Sequence, residues 1–72
     1  MSIIDNLTQR QHWLVDADLI RRMLLRMESS INIALASGPT QRQTEILARV
    51  DTQLGAAIRA IDMAAIEVSK LP

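Results

Sequence analysis

Leu35-Ala36-Ser37-Gly38-Pro39-Thr40-Gln41-Arg42-Gln43 decides the fold. Glycine is the usual residue just past a helix C-terminus, where a left-handed backbone is needed, and a proline soon after it cannot continue the helix. Thr40 followed by Gln43 matches the Thr-x-x-Gln capping box that opens a new helix. With the stop and the start this close, the two helices must fold back on each other, the usual outcome of a connection of about 2–5 residues. The turn is therefore placed at 37–40 and the fold class is all-α, an antiparallel helical hairpin.

Working upstream, Ile20, Met23, Leu24, Met27, Ile31, Ala34 and Leu35 recur at three- and four-residue spacing, as on one face of a helix over about 16–36. Its start signal is Asp16 or Asp18. Arg21, Arg22, Arg26 and Ser29 take the other side, and Met23 and Met27 read as core filling. Leu25 and Ile33 project among those polar residues, with Leu19 at the edge, either as stray exposed aliphatics, which are normal singly, or as part of a second interface. Residues 3–12 read as a short first helix or an ordered arm. Ser2 is its N-cap, Asp5 lies near the positive helix end, and Ile3, Ile4 and Leu7 share one side. A segment of that length is unstable alone in water and must dock or fray.

Downstream, the last helix is expected over about 41–70. Its stripe is Ile46, Val50, Leu54, Ala57, Ile61, Ala64 and Val68, broadened by Leu47, Ile58 and Ala65. Gly55, Ala56, Ala60, Met63 and Ile66 are left outside that stripe. Gly55 costs about 1 kcal/mol against alanine inside a helix, which fits both a close approach by another backbone and a tolerated change. Leu19, Leu25, Ile33, Gly55, Ala56, Ala60, Met63 and Ile66 together are the candidate partner-binding residues. The whole chain, 1–72, reads as one domain with no repeat and no linker.

Composition narrows the function classes. A chain of 72 residues buries only about 60% of its unfolded surface and is marginal alone. Cysteine, phenylalanine and tyrosine are absent and Trp13 is the one ring, so neither a disulfide nor an aromatic core is available to reinforce it. Acidic and basic residues balance at 8 each, which argues against a phosphate-binding surface and so against nucleic acid. The uncharged run from Ser29 to Gln41 contains Gly38 and Pro39 and falls short of the roughly 18 apolar residues of a membrane span. The first residues lack a basic region followed by an apolar run, so no secretory signal is visible and a cytoplasmic location is expected.

Chemistry finds few candidates. His12 is the single imidazole, and a general base or a metal ligand needs positioned companions. Asp16 and Asp18, two residues apart, point to different sides of a helix and read as capping residues. No glycine-rich phosphate loop and no nucleophile elbow occurs. The Arg21, Arg22, Arg26 cluster lacks a convergent polar set; a helix-turn-helix reader would also need a further, short recognition helix. The expectation is a non-enzymatic protein with no catalytic, cofactor or metal site.

With these features placed, the chain resembles the small E-type co-chaperones of type III secretion needle subunits. The matching residues are Met1-Ser2 with Ile4-Asp5 and Leu7, then Leu35-Ala36-Ser37-Gly38, Gln41 and Gln43, and Leu54 with Ala57-Ile58 and Ile61. The likeness is one of layout across most of the chain. Arg42 stands where such relatives tend to carry an aromatic residue, so no family contact is carried over. The resemblance implies a bacterial cytoplasmic chaperone complex: a tetratricopeptide-like chaperone as direct partner and, through it, the virulence-associated needle subunit held soluble before export. The alternative is a self-assembling structural subunit, either needle- or rod-like or a homodimeric four-helix bundle. A homodimer is also compatible with the adaptor role when the partner is missing.

Overall fold

The computed structural model describes the backbone of residues 3–71 and the side chains from Thr8 to Leu71. The Ser2 cap and the shared side of Ile3, Ile4 and Leu7 lie outside the described residues and side chains. Two helices, α1 (Ile3–Ala36) and α2 (Gln41–Ser69), pack antiparallel into a rod of 56 × 15 × 14 Å.

The turn is built as its residues require. Gly38 sits at φ 78°, a backbone region closed to most side chains, with open space where a Cβ would project. Thr40 is extended at φ −65° and ψ 163° and caps α2 reciprocally. The Gln43 backbone N–H donates to Thr40 Oγ1 at 3.2 Å, and the Thr40 N–H donates to Gln43 Oε1 at 2.9 Å. Thr40→Ala should therefore cost about 1 kcal/mol of stability. A thermal melt of the variant, with the wild-type chain alongside, checks this.

At its other end α1 differs from expectation. The break proposed between a short helix at 3–12 and a long one from 16 does not exist, because α1 runs unbroken through His12, Trp13 and Asp16. No glycine or proline stands in that stretch to stop it. Aspartate is only a mildly poor helix former, and Asp18 pairs with Arg22 at 3.0 Å one turn on.

Two hydrogen bonds pin the register: Arg21 Nε donates to Asp62 Oδ1 at 2.9 Å and Arg10 Nη1 donates to the Leu71 carbonyl at 2.7 Å. The numbers of these partners add to 83 and 81, so facing layers add to about 82. Burial follows that register. The seam positions are 10, 14, 17, 21, 24, 28, 31 and 35 on α1 and 47, 51, 54, 58, 61, 65 and 68 on α2, and all of them except the exposed Arg21 are buried or half-buried. Both series step by four and three, the 3.5-residue repeat of a coiled-coil seam.

That seam corrects the apolar stripes drawn from the sequence. Ile20, Met23 and Met27 do not face α2; they are exposed, Met23 by 67%. Ile46 and Ala64 are likewise exposed, one residue off the seam positions Leu47 and Ala65. Sorting by hydrophobicity alone passed over Arg21, Glu28 and Asp51, which hold seam positions. Arginine can do so because its long stem covers apolar surface while its head stays in water. Accordingly Arg21 and Asp62 are each a little under half exposed. Such a pair adds little stability, well under about 1 kcal/mol.

Candidate interaction surface

Among the described residues only Ile31 and Leu54 are buried, at 8% and 7% exposure, against eleven large apolar residues that are exposed. A two-helix seam leaves most of each helix circumference uncovered.

The eight candidate partner residues do not share one face. Ala56, Ala60, Met63 and Ile66 come together on the outward side of α2, all exposed. Leu19 and Ile33 are exposed on the outer side of α1, two heptads apart in register. Leu25 and Gly55 are half-buried and belong to one flank of the seam, where they alternate with Asp18 and Asp62. A Cβ on Gly55 would lie 3.6 Å from Arg59 Nη1, an ordinary contact, so within the hairpin no backbone comes close to this glycine.

The two flanks of the hairpin are chemically opposite. On the first, Asp18, Arg21 and Asp62 line one shallow cleft with Leu14, Ala17, Ile61 and Ala65. The ion pairs Arg21–Asp62 and Arg22–Asp18 lie at this flank. On the second, the positions next to the seam are apolar from Trp13 to Ala34 on α1 and from Val50 to Leu71 on α2, with Gln43 the polar residue at the turn end. Trp13, Ile20, Met27 and Ala34 follow one another at seven-residue steps on α1, and Val50, Ala57, Ala64 and Leu71 do so on α2. In an antiparallel pair these two rows lie side by side. At the turn end Ala34, Gln43 and Ile46 jointly line one cleft, which shows the two helices meeting along this flank.

Met23 and Ile46 widen the apolar flank, and its bulk is uneven. Its α1 half carries Trp, Ile and Met side chains, while its α2 half is mostly alanine from Ala57 to Ala64. Ile20, Met27 and Ala34 of the first row and Val50, Ala57 and Ala64 of the second belong to the stripes expected to face the other helix, whereas Trp13 and Leu71 lie outside those stripes.

Among the described residues no group of three or more His, Cys, Asp or Glu side chains is placed to hold a metal ion. His12 is exposed. Asp18 pairs with Arg22 and Glu67 with Lys70 within one turn, and among the described residues no helix is long and apolar enough to cross a membrane. The Arg21, Arg22, Arg26 cluster is partly consumed by Asp62 and Asp18. In comparisons with known proteins, the chain matches no family model, no curated protein and no solved structure.

Proposed function

We propose that the chain is a non-enzymatic adaptor whose hairpin docks on a larger helical protein and stabilises it. Its carrying observation is the excess of exposed apolar side chains over buried ones, because monomeric soluble proteins rarely leave large contiguous apolar patches uncovered. The layout resembles that of needle-subunit co-chaperones. That supports a tetratricopeptide-like chaperone as the partner and, through it, a type III secretion needle subunit kept soluble in the bacterial cytoplasm before export. The docking residues in this reading are Met63 and Ile66 with Ala56 and Ala60, the group that shares the outward side of α2.

Ile66→Asp should weaken partner binding at least tenfold and leave the far-UV helix signal of the isolated protein intact, since Ile66 is 54% exposed. The test is co-expression with the helical-repeat chaperones of a type III secretion locus, followed by affinity capture of the hairpin. Capture of none of them by the wild-type chain would reject the adaptor reading. A second reading, a self-assembling structural subunit, draws on the apolar flank that spans both helices. Light scattering separates the two, because open-ended growth marks a filament subunit and a discrete species excludes one.

A further inference from the structure

We infer that the apolar flank is covered by a second copy of this chain, in a two-fold, all-antiparallel four-helix bundle whose axis runs parallel to the helices. Two observations carry this independently of the chaperone reading: the size of the flank and its self-complementary shape.

Size comes first. From Trp13 to Ala34 the flank is about 30 Å long at 1.5 Å per residue, and two helices side by side make it about 20 Å wide. Each copy thus offers on the order of 600 Å² of projected surface, close to the roughly 800 Å² per partner of a stable interface. A single helix laid on the flank would cover about half of it.

Shape selects the occupant. A two-fold interface presents the same patch on both sides, so a patch meets itself. A two-fold axis along the rod sets α1 of one copy over α2 of the other, antiparallel, with facing residue numbers adding to 83 or 84. That is the same level rule as within the hairpin. Ile20 then meets Ala64, Met23 meets Ala60, and Met27 meets Ala57. Large side chains fall against small ones at three successive levels, as close packing requires. The perpendicular two-fold would stack α1 on α1, bulk on bulk, and leave the alanines facing each other across a gap.

Charge agrees with this choice of flank. The other flank carries Asp18, Arg21 and Asp62 and stays in water. One level of the bundle is unfavourable: Asp16 comes opposite Glu67 at the open end. Glu67 is already held by Lys70 at 3.1 Å. Of the chaperone-docking group Ala60 is covered by the second copy, whereas Ala56, Met63 and Ile66 stay on the outside of the bundle, so a chaperone docks on the dimer through those three.

The test uses the purified full chain. Sedimentation velocity at tens of micromolar should show a discrete species of twice 8.0 kDa. Because the chain has no cysteine, a Met23→Cys chain mixed with an Ala60→Cys chain and treated with a short thiol-reactive cross-linker should give the mixed product in excess of either homotypic one. Both positions are exposed in the single hairpin, so this arm does not depend on a variant that unfolds. Met23→Glu should raise the dimer dissociation constant at least tenfold. A wild-type chain that stays monomeric, grows into filaments, or cross-links chiefly Met23→Cys to Met23→Cys would overturn the proposal. Loss of chaperone capture with the dimer intact would instead reject only the adaptor reading.

Discussion

Leu54→Asp should abolish the cooperative thermal transition of the hairpin. Leu54 is the most buried residue described and lies at the level of Glu28 in the register that Arg21–Asp62 and Arg10–Leu71 define. Its replacement puts an unpaired carboxylate in the driest part of the seam, at a cost of about 3–5 kcal/mol. Asp51, three residues back on the same side of α2, and Glu28 across from it add like-charge repulsion. A single core in a chain this short rarely supplies more than about 3–5 kcal/mol in total, so the penalty matches the whole stability. Far-UV circular dichroism against temperature is the measurement. A variant that melts cooperatively at the wild-type midpoint would show that Leu54 is not the centre of the seam.

The second large effect has the opposite sign. Asp51 occupies a seam position facing Ile31, and its Oδ1 is buried with no hydrogen-bond partner. A buried acceptor left unmatched costs about 1–3 kcal/mol, and leucine at this place also suits both the helix and the seam. Asp51→Leu should therefore stabilise the hairpin by about 1–3 kcal/mol. For a chain of this size that is a rise in melting temperature of roughly 4–8 °C per kcal/mol. Asp51→Asn, which keeps the polar atoms, should gain much less. Equal or lower melting temperatures for the leucine variant would mean that Asp51 has a partner in solution that compensates its burial.

Much of this architecture is readable in the chain because its determinants are local. Gly38, Pro39 and the Thr40–Gln43 box each act within four residues, and a hairpin is their direct consequence. The seam was less legible for a physical reason. Over two or three turns, periods of 3.5 and 3.6 differ little, and the polar seam residues Arg21, Glu28 and Asp51 hide the difference from any count of hydrophobic side chains. Ile20, Met23 and Met27 therefore match an interior stripe by spacing and yet lie on the surface. The candidate surface was legible only in part. Met63 and Ile66 stood out as surplus to one stripe, whereas the rows from Trp13 to Ala34 and from Val50 to Leu71 needed the antiparallel register before they could be seen as neighbours.

The register has one more consequence, for the way the rod opens and closes. Contacts next to the Gly38–Pro39 turn join residues a dozen positions apart, and those at the far end, such as Arg10 with the Leu71 carbonyl, join residues separated by 61. Once the turn is made, each further layer closes only a small additional loop, so its entropic cost is slight. The chain thus behaves as a zipper with a fixed stop. It closes from the turn, and it opens first at the mouth, where the seam holds Arg10, Ala17 and Ala65 in place of large aliphatics. Trp13, the sole fluorophore, stands at that mouth, so its emission follows the fraying of the rod's end while the helix signal follows its body.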